Sequence, residues 1–333
     1  MYGMSTQNHY LDLITRFGGK KVAVIGDIML DRSLFGVTER FSAEAPIPIV
    51  DVKSKIEQLG GAANVANNLR ALGDIPILFS VVGDDQDGKI LSKLVEEEIQ
   101  GEHFIFRENN RPTTVKLRTF ARDRQIARAD FESREEVKKE TIEKLLIGLS
   151  SLAKDISAIV IEDYNKGLLT VSFIKEILKI AKKFELKVLV DPKFDNFFVY
   201  EGVTLFKPNI KELSEATSIE ISDVAHVEEA ASILRKKLKT QYVMVTMGKD
   251  GILLMDENER SVTRPAFVRV VNDPAGAGDT VISVMASALM AGISPEDAMV
   301  IANYGGGATC ERVGIQPITP QDLKDAICRN EKN

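Results

Sequence analysis

The 333-residue sequence contains few of the side chains that build zinc, redox or hydrolase centres. Its two cysteines, Cys310 and Cys328, have neither metal-binding nor redox spacing, which is typical of a protein in the reducing cytoplasm. The histidines are also few and scattered, so neither a zinc site nor a Ser-His-Asp triad is expected. They are His9, His103 and His226.

Positive charge and long apolar runs are scarce as well. A formal net charge of −6 argues against binding to nucleic acids or membrane surfaces, so an anionic ligand needs local donors. No apolar run reaches the roughly 18 residues of a membrane span, and no secretion signal opens the chain. The remaining composition is ordinary for a globular protein, and the lack of repeats and linkers predicts a single domain over residues 1–330.

The most informative stretch runs from Asn272 to Thr280. A strand-like segment at 267–271 precedes it, and a helical pattern at 281–291 follows. The small residues Gly276, Ala277 and Gly278 let the backbone approach a ligand closely. Free amides at the start of the helix then favour an anion.

Asp279 is the unexpected member of this stretch. A carboxylate repels a phosphate in such a cradle unless a base is needed, and a base that takes a hydroxyl proton serves phosphoryl transfer. The alternative is that Asp279 only caps a buried helix. Its place at a helix start predicts a lowered basicity.

The first apolar strand, Val22 to Ile25, ends in a segment with two carboxylates, Asp27 and Asp31. Ligands of open α/β sheets bind at the carboxyl ends of the strands, so both residues are candidates to hold sugar hydroxyls. The alternative for each is a turn-capping role. Further along, Gly60, Gly61 and Asn64 open a helix whose polar face can line the same cleft.

Residues 33–56 and 113–131 alternate polar and apolar side chains, and prolines mark the first range as edge strands. They predict a small sheet outside the main core. The loop from Gly83 to Ile90 has Walker A spacing, but its three carboxylates and the isoleucine in place of Ser or Thr exclude phosphate binding. We interpret it as an acidic loop before a helix.

From Ile156 onward apolar strands alternate with amphipathic helices, which predicts βαβ units and a mainly parallel sheet. The strands are 158–161, 187–190, 203–206, 242–246 and 252–255, and the helices lie near 171–184, 209–217 and 225–239. Asn209 and Glu212 share one face at a helix start, where they could hold hydrated Mg²⁺ or form a capping box.

Two glycine-rich segments complete the predicted site. Residues 246–251 form a turn between two strands that suits a nucleotide, although a plain glycine turn explains the pattern equally well. A helix from Ser294 to Asn303 is predicted to break at Gly305-Gly306-Gly307, which could admit a flat adenine ring.

Taken in order, these motifs resemble the ribokinase-like (PfkB) family of carbohydrate kinases over nearly the whole chain. The resemblance implies an αβα sandwich with a β-sheet lid, ATP and Mg²⁺ as cofactors, and transfer to a sugar hydroxyl. Asp279 matches the catalytic base, and the amides of Gly276 and Gly278 match its anion hole. Nucleotide contacts are implied for Asn209, Thr246, Gly248, Gly251 and Asn303, and magnesium contacts for Asn209 and Glu212.

Five segments are similar to the heptose phosphate kinases of this family: residues 26–32, 60–66, 116–118, 163–167 and 191–193. A kinase without a second domain is expected, because the sequence ends shortly after Cys328. Lys193, supported by Arg118 and Lys166, is predicted to bind the phosphate of the acceptor. Its alternative is a solvated lysine. Pro274 removes a backbone amide from the loop, so no potassium requirement is inferred.

Two other functions remain open at this point. One is a family member that acts on fructose phosphate, another sugar or a nucleoside. The other is a non-catalytic sensor, which would tolerate loss of Asp279. The apolar alternation of the small sheet predicts a homodimer formed through that sheet.

Overall fold

The computed structural model describes residues 6–122, 124–267 and 271–330. The helices are α1 Thr6–Ile14, α2 Ala62–Ala71, α3 Gln86–Glu98, α4 Lys139–Leu152, α5 Val171–Lys183, α6 Ile210–Thr217, α7 Val224–Leu238, α8 Ala277–Met290, α9 Pro295–Cys310 and α10 Pro320–Asn330. The strands are β1 Lys21–Gly26, β2 Ile28–Phe41, β3 Pro48–Gly61, β4 Ile75–Gly83, β5 His103–Glu108, β6 Val115–Ala121, β7 Arg124–Phe131, β8 Ala158–Glu162, β9 Lys187–Asp191, β10 Leu205–Phe206, β11 Tyr242–Thr246, β12 Ile252–Met255 and β13 Ser261–Arg264.

The main sheet is mainly parallel, as predicted. Among the described residues its strand order is β13-β12-β11-β10-β9-β8-β1-β4-β5. All neighbours in the series β5-β4-β1-β8-β9-β10-β11 pair in parallel. Strands β12 and β13 add an antiparallel edge. Every parallel strand therefore delivers its carboxyl end to one edge of the sheet, where open α/β sheets bind ligands.

Helices cover both faces of this sheet. Successive residues of β1 point to opposite faces, so Val22 and Val24 join one buried cluster with α2, α8 and α9. Ala23 and Ile25 join a second cluster with α4, α5 and α7. The result is the predicted αβα sandwich. None of the helices that the structure describes is both long enough and apolar enough to cross a membrane.

A second, four-stranded sheet stands outside the sandwich and is called the lid sheet below. Its order within the described chain is β3-β2-β6-β7. The predicted ranges 33–56 and 113–131 supply these strands, and β2 pairs antiparallel with β3 but parallel with β6. The two strands β2 and β3 begin and end at the main sheet, next to β1 and α2, so the lid sheet is anchored beside the carboxyl ends of the parallel strands.

Three strands were not predicted: β4, β5 and β13. β4 contains Pro76, although proline is disfavoured inside a sheet. Pro76 pairs with Val22 near the beginning of the strand, where a missing amide is tolerated. The strand predicted at 267–271 falls mostly on residues 268–270, which lie outside the described residues. The acidic loop before α3 is confirmed as structural, since the Asp85 carboxylate caps the helix by accepting from the Gly88 amide at 2.7 Å.

The predicted helix break at Gly305–Gly307 is wrong. Helix α9 continues through the three glycines to Cys310. They are buried against α8, where a Cβ on Gly306 would lie 2.8 Å from Cγ2 of Val281. The glycines therefore allow two helices to pack closely, and this gain offsets the low helix propensity of glycine.

We expect Gly306→Val to destabilise the protein by about 1–3 kcal/mol, the usual cost of overpacking a close contact. Urea unfolding followed by circular dichroism measures the change. Adding Val281→Ala removes the methyl groups that clash, so the double variant should recover part of the loss. Equal stability of wild type and Gly306→Val would show that α8 and α9 separate at no cost.

Candidate active site

A cavity of about 580 Å³ opens at the carboxyl ends of the parallel strands, beside the start of α8. The residues predicted to bind nucleotide or metal or to act in catalysis line this cavity, together with Lys193, which was predicted to bind the acceptor's phosphate. They are Lys193, Asn209, Glu212, Thr246, Gly248, Gly251, Gly276, Ala277, Gly278, Asp279 and Asn303. Its walls come from several separate segments between Tyr164 and Cys310, which the topology of the sheet brings together.

Asp279 is the third residue of α8 and does not cap it. The N-cap is Gly276, which has a left-handed φ of 78° that favours glycine. The Asp279 carboxylate is buried and accepts two hydrogen bonds, from Asn64 Nδ2 at 2.7 Å and from the Tyr164 hydroxyl at 3.1 Å. Both partners come from other parts of the fold, so tertiary packing orients this carboxylate.

Burial is the largest cause of a raised pKa of Asp279, and the nearby Asp191 carboxylate adds to it. The Asn64 and Tyr164 hydrogen bonds oppose the shift, and the resulting pKa is about 6. The expectation of lowered basicity is therefore wrong. The helix start does favour the anion, but desolvation is the larger effect here. Asp279 is a stronger base than an exposed aspartate and is still mostly ionised at neutral pH.

Two further carboxylates, Glu162 and Asp191, lie next to Asp279 at the ends of β8 and β9. One oxygen from each of the three residues lies within 4.8 Å of the others. Oε2 of Glu162 is buried and has no hydrogen-bond partner among the described residues. Burial, together with Asp191 and Asp279, raises the pKa of Glu162 well above its usual value. Both residues directly follow the predicted strands 158–161 and 187–190, but sequence analysis assigned them no specific role.

Asn209 and Glu212 form the capping box that was the alternative interpretation. The Asn209 side chain accepts from the Glu212 amide at 2.9 Å, and Glu212 Oε2 accepts from the Asn209 amide at 3.0 Å. Glu212 Oε1 also lies 2.6 Å from Lys193 Nζ. Lys193 therefore lines the cavity with Glu212, whereas Arg118 and Lys166 do not line it.

The predicted nucleotide-contacting residues surround the other end of the cavity. Gly248 and Gly251 have positive φ angles of 59° and 97° in the tight connection between β11 and β12. Thr246 ends β11 and pairs with Asn209 through an isolated bridge. Asn303 Nδ2 donates to the Pro265 carbonyl at 2.7 Å, which holds α9 against the segment after β13.

The predicted sugar-binding residues lie on the lid side. Asp27 is buried, and its Oδ2 accepts from the amides of Tyr164 and Lys166 at 3.0 and 3.1 Å, so it holds the loop after β8. Burial, with a contribution from Asp163, raises the pKa of Asp27 to about 6. Asp31 forms an ion pair with Arg118. Gly60 is packed so closely that a Cβ there would meet the Asp31 carboxylate. The remaining predicted residue, Gly61, is the N-cap of α2.

Cations cluster where the lid sheet meets the main sheet. Arg118 pairs with Asp31, and Lys166 Nζ lies 2.6 Å from Glu132. Sequence analysis missed a role for Lys116, which lies two residues before Arg118 on the same face of β6. Its Nζ is 4.8 Å from the centre of the Tyr164 ring, and no carboxylate of the described residues lies within ion-pair distance of it. Burial lowers the pKa of Lys116.

The lid sheet is also connected to the loop that follows α9. Gln58 of β3 donates from Nε2 to the Ile315 carbonyl at 2.5 Å, and its Oε1 accepts from the Ile315 amide at 3.3 Å. The neighbouring Gly314 amide donates to Asp273 in the loop before α8 at 3.3 Å. A continuous set of contacts therefore runs from the lid sheet to the start of α8.

The chain belongs to the family described as pfkB family carbohydrate kinase, whose family model matches residues 19–322. It is accordingly an ATP-dependent sugar kinase with a ribokinase-like α/β fold. It is 38% identical over 309 residues to the "Bifunctional protein HldE" of Sulfurimonas denitrificans, covering 92% of this chain and 64% of that protein. The protein of the same name from Aliarcobacter butzleri is 37% identical over 302 residues, with coverages of 91% and 63%. The chain thus spans less than two thirds of the length of these relatives.

Solved structures agree on the fold. Phosphofructokinase-2 from Escherichia coli, in complex with potassium, superposes with a TM-score of 0.77 at 18% identity, covering 94% of this chain and 99% of that one. Ribokinase from Arabidopsis thaliana, complexed with ribose and ATP, has a TM-score of 0.72 at 18% identity, with coverages of 93% and 99%.

The raised pKa of Asp279 predicts a pH-dependent stability. A buried carboxyl whose pKa rises from 3.8 to about 6 on folding contributes stability below pH 4, and that contribution is lost as pH rises through 6. At pH 8 we expect Asp279→Asn to have a higher free energy of unfolding than wild type, by at most about 3 kcal/mol. Urea unfolding measures this difference. The advantage should shrink towards pH 4. Asp155→Asn, at an exposed position, is the matched control. A difference independent of pH would contradict the assignment.

Proposed function

We propose that Asp279 is the general base that activates an acceptor hydroxyl for phosphoryl transfer from ATP. The observation that carries this proposal is a buried carboxylate with a pKa of about 6 at the start of α8, facing a cavity next to free backbone amides. A base with its pKa near the working pH is both ionised and able to take a proton. The amides of Gly276 and Gly278 would stabilise charge on the transferred group. The Ala277 amide between them donates to the Pro274 carbonyl at 3.3 Å.

ATP would occupy the cavity between the β11–β12 connection and α9, with Thr246, Gly248, Gly251 and Asn303 around the nucleoside. Asn209 and Glu212 would organise hydrated Mg²⁺ in the same cavity. The residues fit a hard cation, because Glu162 Oε2 has no partner in the described chain and three carboxylates lie together. The bound cation would neutralise phosphate charge; the protein supplies orientation and excludes water.

The acceptor would lie beside Tyr164, whose hydroxyl already contacts Asp279. Lys116 and Lys193 flank this ring, with Nζ atoms 4.8 and 5.6 Å from its centre. Sugar hydroxyls would contact Asp27, Asp31, Asn64 and the Gly60-Gly61 backbone. A kinase for an unphosphorylated sugar has no need of a second cationic site away from ATP, so these cations support a phosphorylated acceptor.

We infer that the acceptor is D-glycero-β-D-manno-heptose 7-phosphate, phosphorylated at O1 to give the 1,7-bisphosphate, a precursor of ADP-heptose for lipopolysaccharide. Support comes from the 38% identity to an HldE protein and from the resemblance of residues 163–167 and 191–193 to heptose phosphate kinases. The chain would act as one kinase unit covered by the lid sheet. ADP release from ATP with a panel of sugar phosphates, sugars and nucleosides tests this acceptor against the alternatives.

Asp279→Asn should lower turnover by about 10²- to 10⁴-fold, the usual effect of losing a general base, while ATP affinity stays near that of wild type. Asparagine keeps the shape of the side chain but cannot accept the proton. In wild type, kcat/KM for the acceptor should fall as pH drops through 6, because protonation of Asp279 removes the base. Calorimetry of ATP binding is the control. Wild-type turnover in the folded variant would refute the proposal.

Lys193→Ala should weaken use of the acceptor by about 1.5–3 kcal/mol, the range of a charge-assisted hydrogen bond. The KM for ATP should barely change. It must be measured as well, because the substitution removes the ion-pair partner of Glu212, which is proposed to organise Mg²⁺. Lys116→Ala provides the comparison from the other side of Tyr164. Each effect should disappear when the acceptor lacks its terminal phosphate. Equal turnover of both acceptors by wild type would contradict a sugar-phosphate substrate.

We also propose that two copies of the chain pair through their lid sheets. Phe35 and Phe120 are register partners whose rings stack at 5.0 Å, and Ile56 lies on the same face with its side chain exposed. An apolar face of this kind in a four-stranded sheet is stabilised by a partner.

Light scattering at micromolar concentration should therefore give the mass of a dimer for wild type. Ile56→Glu should give a monomer, because the charge would be buried without a partner. Ile147→Glu is the matched control, since Ile147 is 70% exposed on α4, away from the lid sheet. A monomeric wild type would exclude this interface.

A further inference from the structure

Lys207 is a buried cation at the carboxyl end of the parallel strands. It follows β10 directly, and its side chain is 4% exposed, compared with 39% for Lys193. Lysine is rarely buried unless it is paired. Among the described residues its ion-pair partner is Asp191, with Nζ 2.6 Å from Oδ2. The ion pair holds the Lys207 ammonium group beside the Asp191 carboxylate.

The position of this ammonium group is informative. A Cβ on Gly278, the second residue of α8, would lie 3.5 Å from Lys207 Nζ and 3.6 Å from Asp191 Oδ2. Lys207 lines the same cavity as Gly276, Ala277 and Asp279. The charge is therefore next to the free amides at the helix start, where the transferred group would pass. An ammonium has three donors, and the ion pair with Asp191 uses one of them.

The local charge balance also requires a cation at this point. Glu162, Asp191 and Asp279 place three carboxylates close together, and Lys193 pairs with Glu212 instead. A phosphoryl group entering this region would be repelled unless resident positive charge offset the carboxylates. Lys207 is the buried cation that the described residues offer there. A purely structural counter-ion would satisfy Asp191 equally well, so the two roles must be separated by experiment.

We propose that Lys207, held in place by Asp191, donates to the transferred phosphoryl group and stabilises the charge on its equatorial oxygens during transfer. The inference rests on the proposed function, in which transfer occurs at the start of α8. In that step the bond between the γ-phosphorus and the β–γ bridging oxygen breaks. A bond from phosphorus to the acceptor oxygen forms, and the hydroxyl proton goes to Asp279. Lys207 keeps its own protons throughout.

The test uses a mimic of the group in transfer. Binding of ADP with Mg²⁺ is measured by calorimetry with and without fluoroaluminate, in the presence of heptose 7-phosphate. Lys207→Met should leave ADP affinity within about twofold, while the additional tightening caused by fluoroaluminate falls by about 10²-fold, the effect of losing one transition-state donor. The turnover number should fall by a similar factor. Lys211→Met, at an 84% exposed position on α6, should behave as wild type.

Two outcomes would overturn the inference. The first is a folded Lys207→Met variant with undiminished fluoroaluminate tightening, which would make Lys207 a structural counter-ion. If that variant does not fold, Asp191→Asn is compared with Asp191→Asn/Lys207→Met, in which the buried charges are removed together. The second is an equal gain in ADP affinity on adding fluoroaluminate in Asp191→Asn and in Asp191→Asn/Lys207→Met. Absence of tightening in wild type would instead contradict the proposed acceptor, and basal ATP hydrolysis would then provide the same comparison for Lys207.

Discussion

The carboxylate of Asp279 is buried and receives hydrogen bonds from Asn64 on α2 and from Tyr164 after β8. Three segments separated by about a hundred residues must meet for this to happen, and the parallel sheet brings them together. Desolvation raises the basicity of the carboxylate, while the two donors keep it oriented. The rest of the site depends on this balance. The cations nearby, the free amides of α8 and the covering lid sheet are useful only around a base that is both aligned and ionised.

Much of the fold could be predicted from local patterns. Apolar strands alternating with amphipathic helices implied a parallel sheet, and polar residues after those strands implied a site at their carboxyl ends, because parallel strands end at one edge. Asp279, Asn209 and Glu212 are candidate site residues from the sequence, and all three line one cavity. The sequence patterns did not place Lys116 or Lys207, since a lysine in a sequence gives no sign of whether its charge will be buried.

The wrong predictions share a physical cause. The helix break at Gly305–Gly307 and the lowered basicity of Asp279 were both inferred from a residue and its chain neighbours. In each case tertiary packing has the larger effect: α8 lies against the three glycines, and burial removes water from the carboxylate. Propensity and helix-dipole effects amount to about 1 kcal/mol or less per residue, whereas desolvation of a charge costs several. Local rules are least reliable where the fold buries polar groups.

The contact between Gln58 and the loop at 314–315 has an evolutionary consequence. A Cβ at Gly314 would lie 3.1 Å from Gln58 Oε1, and the Gly314 amide also holds Asp273. A larger residue at 314 must adopt a left-handed φ of 76° and displace the end of the Gln58 side chain. Loss of Asp273 leaves the Gly314 amide without this acceptor. Positions 58, 273 and 314 should therefore vary together as related sequences diverge. Such covariation would preserve the contact between the lid sheet and the loop before α8.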